Sequence, residues 1–208
     1  MLWDEIEQQV AARYSIDNKQ DILLKLTKFD MLFLEEVMAS KTIVVHPFEP
    51  VYDCNSEILI LGSLPSVKSR ENNFYYGHPQ NRLWKVLAAI FNEQVPMDIK
   101  EKTEMLLRNK VALWDVIKSC TITGSSDSSI KNAVPNNIGE LISKTHIKRV
   151  FTNGKKAHEL YQKHCSESTG IDAIYLPSTS PANSGNFSFE DLCREWGMQL
   201  IEKKKGKS

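Results

Sequence analysis

The sequence predicts an α/β fold, a parallel sheet with helices on both faces, and three observations carry that prediction. From about residue 57 onward, short apolar runs alternate with longer amphipathic stretches. Each apolar run closes on small or polar residues: Gly62–Ser66, Asp115–Ser119, Asn153–Gly154 and Ser178–Asn183. The chain of 208 residues is 41% hydrophobic and 25% charged, enough for one substantial core. Strands joined through helices pair in parallel by right-handed crossovers, and ligands of such sheets collect beyond the strands' carboxyl ends.

Residues 1 to about 41 have helical spacing, with Leu23, Leu24, Leu26, Phe29, Leu32, Phe33 and Leu34 recurring at helical intervals and Ser15 or Asp17 as a cap. Residues 1–45 are expected as a helical extension packed on the α/β domain of residues 46–208. Glu57–Gly62 is the first strand, its apolar run ending in a glycine turn. Arg82–Phe91 and Lys100–Asn109 are amphipathic helices, and Val111–Val116 is the second strand. Ile138–Thr145 is helical, Lys148–Asn153 the third strand and Lys155–His164 the next helix. Ala173–Leu176 is the fourth strand, and Phe189–Lys203 the closing helix.

Composition excludes several classes. A net charge of +0 argues against coating nucleic acid through bulk charge, while leaving room for a local basic patch. Cys54, Cys120, Cys165 and Cys193 form no CxxC pair, and His46, His78, His146, His158 and His164 include no zinc-helix spacing, so no metal is expected. Reduced, mostly buried thiols are expected instead. There is no G-x-S-x-G elbow, no GxGxxG and no Walker loop, which removes support for nucleotide cofactors and phosphoryl transfer. The N-terminus has acidic residues among its apolar ones, and no run reaches the roughly 18 apolar residues of a membrane span. A cytoplasmic protein is expected.

Three segments can carry chemistry. In Gly62-Ser63-Leu64-Pro65-Ser66 the glycine allows a tight strand exit and close approach to a ligand, although many parallel strands end this way. Phe74-Tyr75-Tyr76-Gly77-His78-Pro79 places three aromatics in one loop, where either a stacking surface for a base or a plug beneath the sheet edge fits. His78 and Asn81 read either as a turn and helix cap, or as a loop-ordering histidine that touches phosphate and an amide that orients water. In Leu176-Pro177-Ser178-Thr179-Ser180-Pro181-Ala182-Asn183 the hydroxyls either hold a phosphate or cap their own backbone.

In their joint order, GSLPS, FYYGHPQNRLW and LPSTSPAN resemble the uracil-DNA glycosylase superfamily, closest to its DNA-deoxyinosine (hypoxanthine-DNA) branch, over about residues 46 to 200. The HPQNRLW segment is also similar to the mismatch-specific uracil and thymine glycosylases. The resemblance implies a three-layer α/β/α sandwich around a central four-stranded parallel sheet. It also implies a cofactor-free, monofunctional enzyme, acting as a monomer on double-stranded DNA. Such an enzyme flips a deaminated base and hydrolyses its N-glycosidic bond. Asn81 and Ser63 then stand at the chemistry; Gly62, Leu64, Tyr76 and Asn153 against the base; and His78, Ser178, Ser180, Pro181, Ala182 and Asn183 against the DNA. Two positions depart from the superfamily pattern. Leu64 stands where an Asp or Asn usually manages water, and Ser178 where a His steadies the departing base. Those departures leave a damaged-DNA-binding protein with impaired catalysis as the alternative.

Overall fold

The computed structural model describes residues 41–123 and 130–201. In chain order its strands are β1 (Lys41–Val45), β2 (Ile58–Gly62), β3 (Val111–Asp115), β4 (Ile117–Thr123), β5 (Lys131–Pro135), β6 (Arg149–Asn153) and β7 (Ala173–Leu176). The helices are α1 (Val67–Glu71), α2 (Leu83–Phe91), α3 (Ile99–Arg108), α4 (Ile138–Ser143), α5 (Lys155–His164), α6 (Ser166–Thr169) and α7 (Phe189–Leu200). The main sheet is four-stranded and parallel, in the order β3-β2-β6-β7, and a separate antiparallel sheet runs β1-β4-β5.

β2 is central because both of its faces are covered. Ile58 and Ile60 face one core, with Leu83, Leu87, Leu106, Leu192 and Trp196 from α2, α3 and α7. Leu59 and Leu61 face the other, against α4, α5 and the antiparallel sheet through Ile138, Leu141, Leu160, Tyr161, Ile117 and Ile122. A strand buried on both faces reads as a continuous apolar run, which is why ILILG was legible. Local capping sets the helix starts. The Asp98 carboxylate accepts from Glu101 N at 2.8 Å to open α3, and Ser188 with Asp191 forms a reciprocal capping box for α7.

The α/β architecture and the four parallel strands match the sequence reading, with boundaries shifted by a residue or so and α7 ending at Leu200. The antiparallel sheet departs from it. Residues 41–45, assigned to the helical extension, instead pair with β4, so they belong to the α/β domain. The extension itself, residues 1–40, lies outside the described residues. β4 was hidden because register shifts between Ile117 and Thr121 break the two-residue alternation, turning Ile117, Cys120 and Ile122 all inward. Ile43 and Val45 of β1 point outward, 75% and 59% exposed, so apolar spacing there does not report burial. The expectation of mostly buried thiols holds for Cys120 and Cys165, while Cys54 is exposed and Cys193 half-buried. No helix among the described residues is long and apolar enough to cross a membrane.

Trp196 ties α7 to the segment after β7. It is fully buried, and its indole Nε1 donates to Pro177 O at 3.0 Å. Trp196→Ala should cost about 3–5 kcal/mol of stability, measured by urea unfolding, through the cavity and the orphaned carbonyl.

Candidate active site

The carboxyl ends of the parallel strands border a cleft of about 620 Å³. Gly62 ends β2, Asp115 ends β3 and Asn153 ends β6, and all three line it. The wall is completed by Ser63–Ser66, Tyr76 and Asn81 on one side and by Gly154–Ala157, Ser178, Ser180, Ala182 and Asn183 on the other.

The aromatic loop divides its three rings. Phe74 stacks on Trp84 at 6.0 Å between centroids, and Tyr75 packs edge-on to Phe48 at 4.6 Å, so both belong to the core. Burial, and after it the charge of Asp115, holds the Tyr75 phenol far above its ordinary range. It therefore stays a neutral donor, giving its proton to Glu49 O at 2.9 Å. Tyr76, half-buried, lines the cleft together with an edge of Tyr75 and with Tyr175 of β7, and its backbone sits in the left-handed region at φ 51°. That conformation is unusual for a bulky residue and is sustained by the fixed turn around it, where Gly77 N donates to Ser69 Oγ at 3.1 Å.

Sequence reasoning did not single out Asp115 or His46 as site residues. The Asp115 carboxylate lines the cleft but is buried, and its Oδ2 lies 3.0 Å from His46 Nε2, whose side chain is 3% exposed. His46 packs edge-on to Phe48 at 4.8 Å. Gly62 and Asp115 are register partners, and a Cβ on Gly62 would stand 2.1 Å from Asp115 Oδ1 and 3.0 Å from the Tyr76 hydroxyl. Glycine is thus required at 62 by a close side-chain approach, and its φ is not the reason. A carboxylate lying beside a glycine was a signal available in the strand-end list; its buried histidine partner, 69 residues distant, was not.

Asn81 lines the same cleft as Gly62 and Ser180. Its Oδ1 accepts from Leu83 N, the first amide of α2, at 3.0 Å while Arg82 is the N-cap residue, and it also accepts from Thr179 Oγ1 at 3.0 Å. The amide therefore has its oxygen engaged, and Nδ2 is the end left to the cleft. Asn153 is also fixed: its Oδ1 accepts from Thr179 N and its Nδ2 donates to Thr179 Oγ1, each at 2.9 Å. It anchors the segment after β7 and, with one N–H and one lone pair not used in those bonds, still lines the cleft. Arg82 clamps that segment from the other side, donating to Phe187 O at 2.6 Å and Ser180 O at 3.3 Å.

The remaining candidates separate clearly. Ser63 and Leu64 line the cleft and are nearly buried, Leu64 packing into the core behind it. His78 is not part of the lining; its Nδ1 accepts from Gln80 N at 3.1 Å, which is the turn reading. Ser178 and Ser180 line the cleft while capping their own backbone, accepting from Ser180 N at 3.2 Å and Ala182 N at 3.3 Å. Pro181 opens the short 3₁₀ turn Pro181–Asn183 and is not in the lining, whereas exposed Ala182 and half-buried Asn183 are. Gly154, at φ 100°, starts α5 and brings Lys155 and Lys156 to the cleft, a local cationic rim that the neutral net charge concealed. Among the described residues, no three His, Cys, Asp or Glu side chains converge as a metal site.

A family model, the Uracil DNA glycosylase superfamily, matches residues 49–196. Hypoxanthine DNA glycosylase of Methanosarcina barkeri is 39% identical over 138 residues, covering 65% of this chain and 86% of its own length. Its counterpart of the same name in Methanosarcina acetivorans is 36% identical over 140 residues, covering 65% of this chain and 86% of its own. A solution NMR structure of a candidate uracil DNA glycosylase from Methanosarcina acetivorans superposes with a TM-score of 0.68. It is 33% identical, covering 78% of this chain and 99% of that one.

The contact between Gly62 and Asp115 gives a direct check on the site. Gly62→Ala should lose about 1–3 kcal/mol of stability in denaturant unfolding, because the carboxylate it would displace is held by His46.

Proposed function

Because the chain belongs to the uracil DNA glycosylase superfamily, we propose that it excises a deaminated base, hypoxanthine foremost, from double-stranded DNA. Water hydrolyses the N-glycosidic bond of the extruded nucleotide and leaves an abasic site, with no covalent enzyme intermediate and no cofactor. The protein acts as a monomer.

The observation that carries this reading is the pairing of Asp115 and Asn81 in one cleft: a buried, histidine-held carboxylate together with an amide that presents its NH₂. Hypoxanthine, uracil and xanthine each carry a ring N–H beside a carbonyl, which a carboxylate accepts. Adenine and cytosine have a lone pair on that ring nitrogen, and a carboxylate repels it. That repulsion discriminates against adenine and cytosine, whereas guanine and thymine carry the same ring N–H and are left to be excluded by the shape of the cleft and by the cost of extruding a paired base. Tyr76 supplies the flat surface on which the extruded base rests. Extrusion itself costs a few kcal/mol, least for a mispaired base such as hypoxanthine opposite thymine.

Bond cleavage leaves an oxocarbenium-like sugar and moves negative charge onto the base. An Asn81 donor holds the oxygen of the attacking water, or steadies the departing base; as the C1′–O bond forms and the C1′–N bond breaks, the water's proton passes to solvent or to the released base anion and not to Asn81. A strongly electrophilic sugar demands little activation of its nucleophile, so Leu64 at the position usually held by an Asp or Asn is compatible with turnover. Lys155 and Lys156, at the start of α5, suit the phosphates flanking the flipped nucleotide.

The deciding experiment uses duplex oligonucleotides containing deoxyinosine, deoxyuridine or deoxyxanthosine, treated with alkali to break any abasic strand. Strand breakage at deoxyinosine is expected; retention of the damaged duplex with every base intact would favour the binding protein without catalysis. Asn81→Ala should slow release by about two to four orders of magnitude. Asn81→Asp keeps both hydrogen bonds accepted from Leu83 N and Thr179 Oγ1 but replaces the donor with an acceptor, so it should be as impaired as Asn81→Ala; a rate near wild type would rule out the donor role. Asp115→Asn should lower hypoxanthine release by about 10- to 100-fold in the same single-turnover assay.

A further inference from the structure

Thr179 touches neither the cleft nor solvent; it is 0% exposed. Its hydroxyl lies between two cleft-lining amides, accepting from Asn153 Nδ2 at 2.9 Å and donating to Asn81 Oδ1 at 3.0 Å. Its backbone is pinned at both polar groups, Thr179 N donating to Asn153 Oδ1 at 2.9 Å and Thr179 O accepting from Arg82 N at 3.1 Å. Each amide has one possible orientation. Turning Asn153 over would set its NH₂ against the Thr179 N–H, and turning Asn81 over would set its NH₂ against the Leu83 N–H. The direction of the relay follows: Asn153 occupies a lone pair of the Thr179 hydroxyl and turns its proton toward Asn81.

We propose that Thr179 is a positioning residue for the reaction, whose hydroxyl, set by Asn153, locks the Asn81 amide with its NH₂ facing the scissile nucleotide. Leu83 N–H alone is a single contact about which the side chain swings; the second contact, from a group fixed on the opposite loop, removes that freedom. A valine at 179 keeps the shape, deletes the hydroxyl and leaves Asn153 Nδ2 and Asn81 Oδ1 each short of a partner. The inference rests on the glycosylase reading above, since the amide's orientation matters only if Asn81 serves the reaction.

The test compares Thr179→Val and Thr179→Ser by single-turnover hypoxanthine release, DNA affinity and the Asn81 side-chain amide resonances, assigned by their loss in Asn81→Ala. Thr179→Val should slow release about 10- to 100-fold with affinity for the deoxyinosine duplex within roughly twofold, and Thr179→Ser should recover most of the rate. In the Asn81→Ala background, Thr179→Val should add no further loss, because both changes remove the same function. An unchanged rate, or an undiminished further loss in that background, overturns the inference while leaving the glycosylase reading intact. Absence of base release by the wild-type protein overturns the glycosylase reading instead. The relay is then judged by the Asn81 amide resonances, which must shift in Thr179→Val and return in Thr179→Ser. Should Thr179→Val fail to fold, Asn153→Ala replaces it, since it frees the hydroxyl to rotate; a rate equal to wild type in that variant overturns the inference as well.

Discussion

The parallel register of β2 against both β3 and β6 is the constraint on which the rest of this structure depends. Ile58 pairs with Val111 on one side and Arg149 on the other, and the ladder carries that alignment to the carboxyl ends. Gly62, Asp115 and Asn153 therefore emerge at one edge, without any of the three being close in sequence. A slip of one residue would exchange the two faces of β2, moving Leu59 and Leu61 to the core built for Ile58 and Ile60. Burial on both faces makes such a slip prohibitive, so the geometry of the cleft is inherited from the packing of the core.

The parts of the fold that were legible are those in which one physical rule dominates. β2, β3 and β6 are short apolar runs largely buried in the sheet, β7 is an apolar edge run with Tyr175 exposed, and α5 and α2 have one apolar face, so spacing alone finds them. The antiparallel sheet was not legible, because its bulged central strand, its outward Ile43 and Val45 and its Pro135-terminated edge each break the expected alternation. For the site, a stretch of loop could be identified but the direction of a side chain could not. Asn81, Tyr76 and Asn153 all reach the cleft, but Asn153 is also bonded at each end of its amide to Thr179, which its position gave no sign of, and His78 serves its own turn. The Asp115–His46 pair and the Thr179 hydroxyl were invisible for one reason: their partners are 69 and 98 residues away, and no local rule links them.

These distant pairings share a design. His46 is locked among Phe48 and Tyr75, Asp115 is locked by His46, and Gly62 makes room for the carboxylate. On the other wall, Arg82 and Asn81, adjacent in sequence, grip the segment after β7 through its carbonyls and Thr179. The polar groups of the cleft are thus held by residues that do not face it, which keeps their orientation independent of a bound nucleotide. Preorganisation of this kind lets donors and acceptors meet a developing charge without first rearranging.

The Arg82 clamp also bears on the order in which the molecule is completed. Its guanidinium closes on Phe187, 105 residues downstream, so the loop carrying the aromatic run leaves the ribosome long before its counterpart exists. The wall that carries Asn81 and Tyr76 is thus synthesised well before the segment it faces, Ser178–Asn183. A product cut short before Phe187 therefore lacks the carbonyl that the Arg82 guanidinium grips, and with it the anchor of the segment after β7.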